Sequence, residues 1–179
     1  MNTPNKLTVL RMILVPVFMV LMMFEGFAFE MAGLVVFIVA SVTDWLDGYL
    51  ARRDNLVTTF GKFMDPLADK MLTTAALLVL MERDYISSWV LLIVLGREFL
   101  VAGIRLAAVG EGKVIAASWW GKVKTVAQMI AIIASIILMN IPNFDATVII
   151  NILIWISTIL TLIAGVEYVV KNKDFIKVS

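Results

Sequence analysis

Asp44–Trp45–Leu46–Asp47–Gly48–Tyr49–Leu50–Ala51–Arg52 closes one apolar run of this chain, and Gly61–Lys62–Phe63–Met64–Asp65–Pro66–Leu67–Ala68–Asp69 opens the next. Four aspartates therefore stand where two oily segments meet a short polar turn. An ionised side chain at mid-bilayer costs at least about 2.5–3.5 kcal/mol on the insertion scale, and four together repel one another as well. Something has to offset that cost, and a cation is the simplest candidate. The spacing agrees. Asp44 and Asp47 are three apart and Asp65 and Asp69 four apart, so each pair lies on one helix face. At a rise of about 1.5 Å per residue, the first pair lies about 6–10 Å below the turn and the second about 6–12 Å below it. In an antiparallel hairpin the two pairs reach similar depth and can face each other.

The rest of the chain supports a membrane setting. Of its 179 residues, 61% are hydrophobic and 16% charged, and the mean hydropathy is +0.97. A soluble domain is nearer 45–50% apolar and about 25% charged, and one core of this size could not hide so much apolar surface. Cys and His are absent, which excludes a disulfide scaffold, thiolate chemistry and His-based catalysis. A formal charge of +1 argues against a nucleic-acid partner, which would call for a strongly basic chain.

A bilayer core of about 30 Å takes about 20 mostly apolar residues per helix. Six segments qualify: 7–24, 32–51, 63–81, 87–108, 121–139 and 147–170. The predicted fold class is an all-α integral membrane protein, a bundle of six transmembrane helices. Residues 25–30 do not form a small-residue cleavage site, so the first span is expected to be retained. With the N-terminus cytoplasmic, Lys6, Arg11, Arg52, Arg53, Lys62, Lys113, Lys122, Lys124, Lys171, Lys173 and Lys177 fall on or near the inner side. The outer loops hold Arg83 as their only basic residue. The positive-inside rule then puts both termini in the cytoplasm.

Four carboxylates without Cys or His make a hard-oxygen site. Magnesium or manganese suits it, calcium is an option, and two divalent ions would balance the four charges. The alternative is that these carboxylates are solvated or paired with Arg52, Arg53, Lys62 or Lys70. Gly48, Ala51 and Gly61 permit close approach of a ligand or, equally, tight helix packing. Arg52 shares the face of Gly48 and can grip a diphosphate with its bidentate fork; otherwise it anchors the topology. Arg97 and Arg105 lie in the fourth span, and Lys122 and Lys124 open the fifth. Arg97 stands out because it lies mid-span, where an arginine is expensive. Glu98 sits about 100° round the helix and is not its obvious partner. Ion pairing elsewhere, for Arg97, and topology anchoring, for Lys122 and Lys124, are the competing readings. Asn5, Thr8 and Arg11 share a face near the inner interface, where they line a ligand entrance or simply start the helix.

Asp44-x-x-Asp47-Gly48-x-x-Ala51-Arg52, then eight residues, then Gly61-x-x-x-Asp65-x-x-x-Asp69 resembles the signature of the CDP-alcohol phosphatidyltransferase family, with every defining position present. Asn5-x-Leu7-Thr8-x-x-Arg11, Gly96-Arg97-Glu98-Phe99 and Gly121-Lys122-x-Lys124-Thr125 resemble the branch whose acceptor is sn-glycerol 3-phosphate. The resemblance covers the chain as a single domain, 1–179. It implies transfer of a phosphatidyl group from CDP-diacylglycerol, with release of CMP, in phospholipid biosynthesis. It also implies Asp44, Asp47 and Asp65 as metal ligands, and Asp69 as the base that also touches metal. Gly48, Ala51 and Arg52 would form the CDP site, with Gly61, Asn5 and Thr8 beside them. Arg97, Arg105, Lys122 and Lys124 would form the glycerol-phosphate pocket. A homodimer in a bacterial cytoplasmic membrane, its site facing the cytoplasm, follows from the same resemblance. Competing functions are a family member with serine or inositol phosphate as acceptor, a cation transporter and a membrane prenyltransferase. The transporter is disfavoured because the aspartates crowd toward one membrane face. The prenyltransferase leaves Gly48, Ala51 and Arg52 unexplained.

Overall fold

The computed structural model describes residues 3–53, 59–110, 112–113, 115 and 118–173; the side chains of 3–5, 45, 47–53, 59–63, 65, 66 and 69 lie outside the description. The described chain is helical: α1 (Thr3–Met23), α2 (Phe27–Arg53), α3 (Thr59–Glu82), α4 (Ser88–Gly110), α5 (Trp119–Leu138) and α6 (Thr147–Lys171). The expected spans 32–51, 63–81 and 147–170 fall inside α2, α3 and α6, while 7–24, 87–108 and 121–139 overrun α1, α4 and α5 by one residue at one end. The helices run a few residues beyond the apolar segments, because polar residues at the interface extend a helix without having to sit in lipid. Four helices are long and apolar enough to cross a bilayer: α1, α2, α5 and α6. The other two carry the charges that mark the candidate sites, Asp65, Asp69 and Lys70 in α3 and Arg97, Glu98 and Arg105 in α4. Long apolar helices of this kind make the chain a membrane protein, since only a bilayer accommodates so much exposed Ile, Val, Leu and Phe.

The chain divides into two compact units. The first comprises residues 1–83 and 136–145, the second residues 84–135 and 146–179. In the first, α1 packs against both α2 and α3, and α2 touches α3. Phe18 and Phe37 are fully buried there, with ring centroids 5.8 Å apart and planes tilted by 52°. Ala68, Ala75 and Ala76 of α3 are buried too; small side chains let helices approach closely where lipid offers no hydrophobic driving force. Arg83, just past α3, ties this unit together. It pairs with Glu30 in the first turn of α2 and donates from Nη2 to the carbonyl of Met22, at the end of α1, at 2.8 Å. One guanidinium thus joins three helix ends, as its fork of donors allows.

In the second unit α4 packs against α6. Val90, Val94, Val101, Ile104 and Ala108 form the buried stripe of α4, at the three-and-four spacing of one helix face. Ile150, Ile154, Ala164 and Tyr168 are buried on α6, and Val101 and Ile104 pack on Tyr168. The buried hydroxyls of α6 bond to their own helix. Ser157 and Thr158 both donate to the carbonyl of Ile154 at 2.8 Å, and Thr161 donates to that of Ser157 at 2.9 Å. Asn151 donates to the carbonyl of Tyr85 at 3.1 Å and fixes the start of α6 to the approach to α4.

Replacing Arg83 with Leu leaves the Glu30 carboxylate and the Met22 carbonyl short of a donor. The expected loss is about 1–3 kcal/mol, read as a lower thermal midpoint of the purified protein in detergent. Pairing it with Glu30→Gln in a double-mutant cycle should reveal strong coupling, whereas additive losses would show that the pair contributes nothing.

Candidate active site

The candidate carboxylates sit on α2 and α3 of the first unit. Both helices are continuous through the positions concerned, so Asp44 and Asp47 share a face of α2, and Asp65 and Asp69 share a face of α3. Among their side chains, that of Asp44 is described. Those of Asp47, Asp65 and Asp69 lie outside the described residues, as do those at Asn5, Gly48, Ala51, Arg52 and Gly61. Asp44 is 39% exposed, and its Oδ1 lies 2.6 Å from Nη1 of a fully buried Arg11. Thr8, one turn before Arg11 on α1, is also fully buried.

Asp44 thus pairs with an arginine from α1, inside the helix packing; the side chains of Arg52, Arg53 and Lys62, the turn's own cations, lie outside the described residues. Arg11, read from the sequence as a member of an interfacial face and of the Asn5-x-Leu7-Thr8-x-x-Arg11 pattern, is paired with Asp44. The signal that could have found it is position: Arg11 stands inside an apolar run, where a cation needs an anion, and Asp44 is the carboxylate that answers it. Such a contact suits a metal ligand. Carboxylates that hold cations are themselves hydrogen bonded, which fixes their direction, and each oxygen accepts more than one bond. The oxygen-only donor set fits magnesium or manganese.

The second unit gathers the candidate anion-binding residues. Arg97 of α4 has a side chain 9% exposed and Glu98 one 12% exposed; Arg97 Nη1 donates to Glu98 Oε1 at 3.0 Å. Lys124 of α5, 11% exposed, pairs with the same carboxylate oxygen. Glu98 is therefore the partner of Arg97 after all: both side chains are long enough to close the angle between successive positions on the helix. The group brings two cations onto one carboxylate oxygen, and low polarity strengthens the attraction between them. Arg97 Nε is buried and makes no hydrogen bond among the described residues.

Arg97 lies flat against α6 because that helix has no side chain there. A Cβ built on Gly165 would stand 2.9 Å from Arg97 Cγ, and one on Gly121 would stand 3.9 Å from its Nη2. The stem of Arg97 also lines an apolar groove of about 370 Å³ with Gly96, Leu100 and Gly165, the usual division between an apolar stem and a polar head. Arg105, two turns on, meets α6 at Tyr168. Its Nε donates to the phenol oxygen at 3.3 Å, and its guanidinium carbon is 5.8 Å from the ring centroid. The structure thus brings Arg97 and Arg105 to the α6-facing side of α4 and ties Lys124 to Arg97 through Glu98. Lys122 is exposed on the first turn of α5. That helix starts under a Ser118 cap, with the Gly121 N–H donating to Ser118 Oγ at 3.1 Å. Gly165 and Tyr168 escaped sequence reasoning. The available signal was the Ala164–Gly165 pair, a small-residue notch among bulky neighbours in α6.

The first unit thus holds a carboxylate paired with a buried arginine, and the second a buried cluster of Arg97, Glu98 and Lys124. The family model for CDP-alcohol phosphatidyltransferases matches residues 1–163, and the chain belongs to that family. Family members generally work with divalent metal ions. The chain is 42% identical over 191 residues to the CDP-diacylglycerol–glycerol-3-phosphate 3-phosphatidyltransferase of Bacillus subtilis, covering 99% of this chain and 98% of the relative. The protein of the same name from Haemophilus influenzae is 38% identical over 172 residues, covering 93% and 91%. That of Salmonella choleraesuis is 44% identical over 137 residues, covering 73% and 74%.

Arg11→Leu should strip Asp44 of its orienting cation. Loss of a group that orients a metal ligand costs about 10–100-fold in metal affinity or activity. The expected outcome is a rightward shift of the magnesium or manganese dependence, with Arg11→Lys closer to wild type. An unchanged metal titration would show that the pair is purely structural.

Proposed function

We propose that this chain transfers the phosphatidyl group of CDP-diacylglycerol to sn-glycerol 3-phosphate, giving phosphatidylglycerophosphate and CMP. The reading rests on the family membership and on relatives of this activity that match nearly the whole chain. What favours an acceptor with its own phosphate is the buried Arg97–Glu98–Lys124 group, in which two cations gather on one carboxylate; a phosphate gives those cations a partner that serine does not.

Asp44, Asp47, Asp65 and Asp69 hold the metal, two ions of magnesium or manganese. When bound, the metal neutralises the donor diphosphate and the charge that collects on departing CMP. Arg52 grips the diphosphate beside the small residues Gly48, Ala51 and Gly61, with Asn5 and Thr8 at the nucleotide. Arg97, Arg105, Lys122 and Lys124 take the acceptor phosphate and leave its terminal hydroxyl for attack. Asp69 removes the hydroxyl proton. The freed oxygen forms a bond to the lipid-side phosphorus, and the bond from that phosphorus to the bridging oxygen breaks, its electron pair leaving with CMP. No covalent enzyme intermediate is required, so the work is positioning and charge stabilisation.

In this reading residues 1–179 act as one domain of six spans in a bacterial cytoplasmic membrane. Both termini and the site face the cytoplasm, and the enzyme works as a homodimer. Charge asymmetry of the loops supports the orientation.

The test is an acceptor panel with purified protein, radiolabelled CDP-diacylglycerol and added magnesium or manganese. Lipid product is expected with sn-glycerol 3-phosphate, and none with serine or inositol phosphate; another acceptor preferred over glycerol phosphate would overturn the assignment. Asp69→Asn should lower kcat by about 10²–10⁴-fold, the usual weight of a general base. Arg97→Leu should instead raise the KM for glycerol phosphate and leave that for CDP-diacylglycerol in place.

A further inference from the structure

Gln128 of α5 is 3% exposed, and its Nε2 has no hydrogen-bond partner among the described residues. It lies within the apolar helix Trp119–Leu138, where water is not at hand. A buried donor left unmade costs roughly 1–3 kcal/mol, so its retention calls for a reason. Other buried polar groups deeper in α5 do not share the deficit: the Ser135 hydroxyl donates to the Ala131 carbonyl at 2.7 Å.

The position of Gln128 supplies the reason. Gly121, Lys124 and Gln128 stand at i, i+3 and i+7, one face of α5. That face meets Arg97 and Glu98. The Cβ direction of Gly121 points to within 3.9 Å of Arg97 Nη2, and Lys124 pairs with Glu98. Gln128 continues the face by one turn, about 5.4 Å further along the helix. Arg97 Nε, in a side chain 9% exposed, is likewise buried without a partner. Two unmet donors therefore belong to one unit, the cationic Arg97 Nε and the neutral Gln128 Nε2, the latter one turn beyond Lys124 on the helix face that carries it.

Cations suit a phosphate dianion; a neutral amide donor suits a neutral hydroxyl. A three-carbon phosphate offers such a hydroxyl within about one helical turn of its phosphorus, at the carbon that takes no part in the transfer. We infer that Gln128 Nε2 donates a hydrogen bond to the C2 hydroxyl of the acceptor and so sets acceptor specificity. This rests on the reaction proposed above. A site built to hydrogen-bond a hydroxyl rejects the analogue lacking it, because its own donor is then left unpaired.

The full-length enzyme is assayed with sn-glycerol 3-phosphate and with 3-hydroxypropyl phosphate, which keeps the attacking hydroxyl and the phosphate but lacks the C2 hydroxyl. Wild type should prefer glycerol phosphate in kcat/KM by about tenfold to a hundredfold. Gln128→Met, near in shape but without a donor, should bring the ratio to within about threefold of unity by losing rate with glycerol phosphate alone. The KM for CDP-diacylglycerol should stay in place. A purely structural glutamine would depress both acceptors together and preserve the ratio, which would overturn the inference. A wild-type ratio near one would overturn it too, whatever the variant's fold. No product from glycerol phosphate in wild type would remove the proposed reaction and this inference with it. Product with unchanged discrimination removes the inference alone.

Discussion

A charge carried into a bilayer is tolerated only when another group answers it, and this requirement organises the described site residues. Arg11, fully buried on α1, is answered by Asp44 on α2. Arg97 and Lys124, from α4 and α5, are answered by a single carboxylate oxygen of Glu98. Removing one member of such a group leaves its partner charged and dry, which costs more than the pair contributes net. The pairs are thus less a source of stability than a set of fixed orientations. They hold each side chain in one place because every other place is worse.

The distribution of charge also separates two kinds of chemistry. The carboxylate-rich faces belong to α2 and α3, and the cations of the second unit to α4 and α5. In the second unit Arg97 and Lys124 share the one carboxylate of Glu98, which keeps the two cations together in a setting where their mutual repulsion is felt strongly.

Much of this was legible in the residues before any coordinates. Apolar run lengths gave the number and approximate position of the helices, because backbone polar groups in lipid must be satisfied within the helix. The aspartate spacing gave the faces of α2 and α3, because three and four residues both return to the same side of a helix. Partners between helices were not legible. That Asp44 would meet Arg11 depends on how α1 lies against α2, which no single helix encodes. That Glu98 would serve Arg97 was misjudged from angular position alone, since reach along two flexible side chains exceeds the offset between their Cα atoms. Gly165 was legible only as half of the Ala164–Gly165 notch: which side chain fills the space above it is not written in α6, and here that side chain is Arg97.

The hydroxyls of α6 have a mechanical corollary. Ser157, Thr158 and Thr161 spend their hydrogens on carbonyls of their own helix, so none of those three bonds clamps α6 to a neighbour. Over that stretch the helix presents a smooth flank, able to slide or turn slightly without any of these polar bonds being broken. What indexes it against α4 lies further along: the notch at Gly165 that receives the Arg97 stem, and the Tyr168 phenol under Arg105. The register of the two rods is therefore set by two side chains of α4, so that a change at either arginine is felt as a shift of α6 against its neighbour.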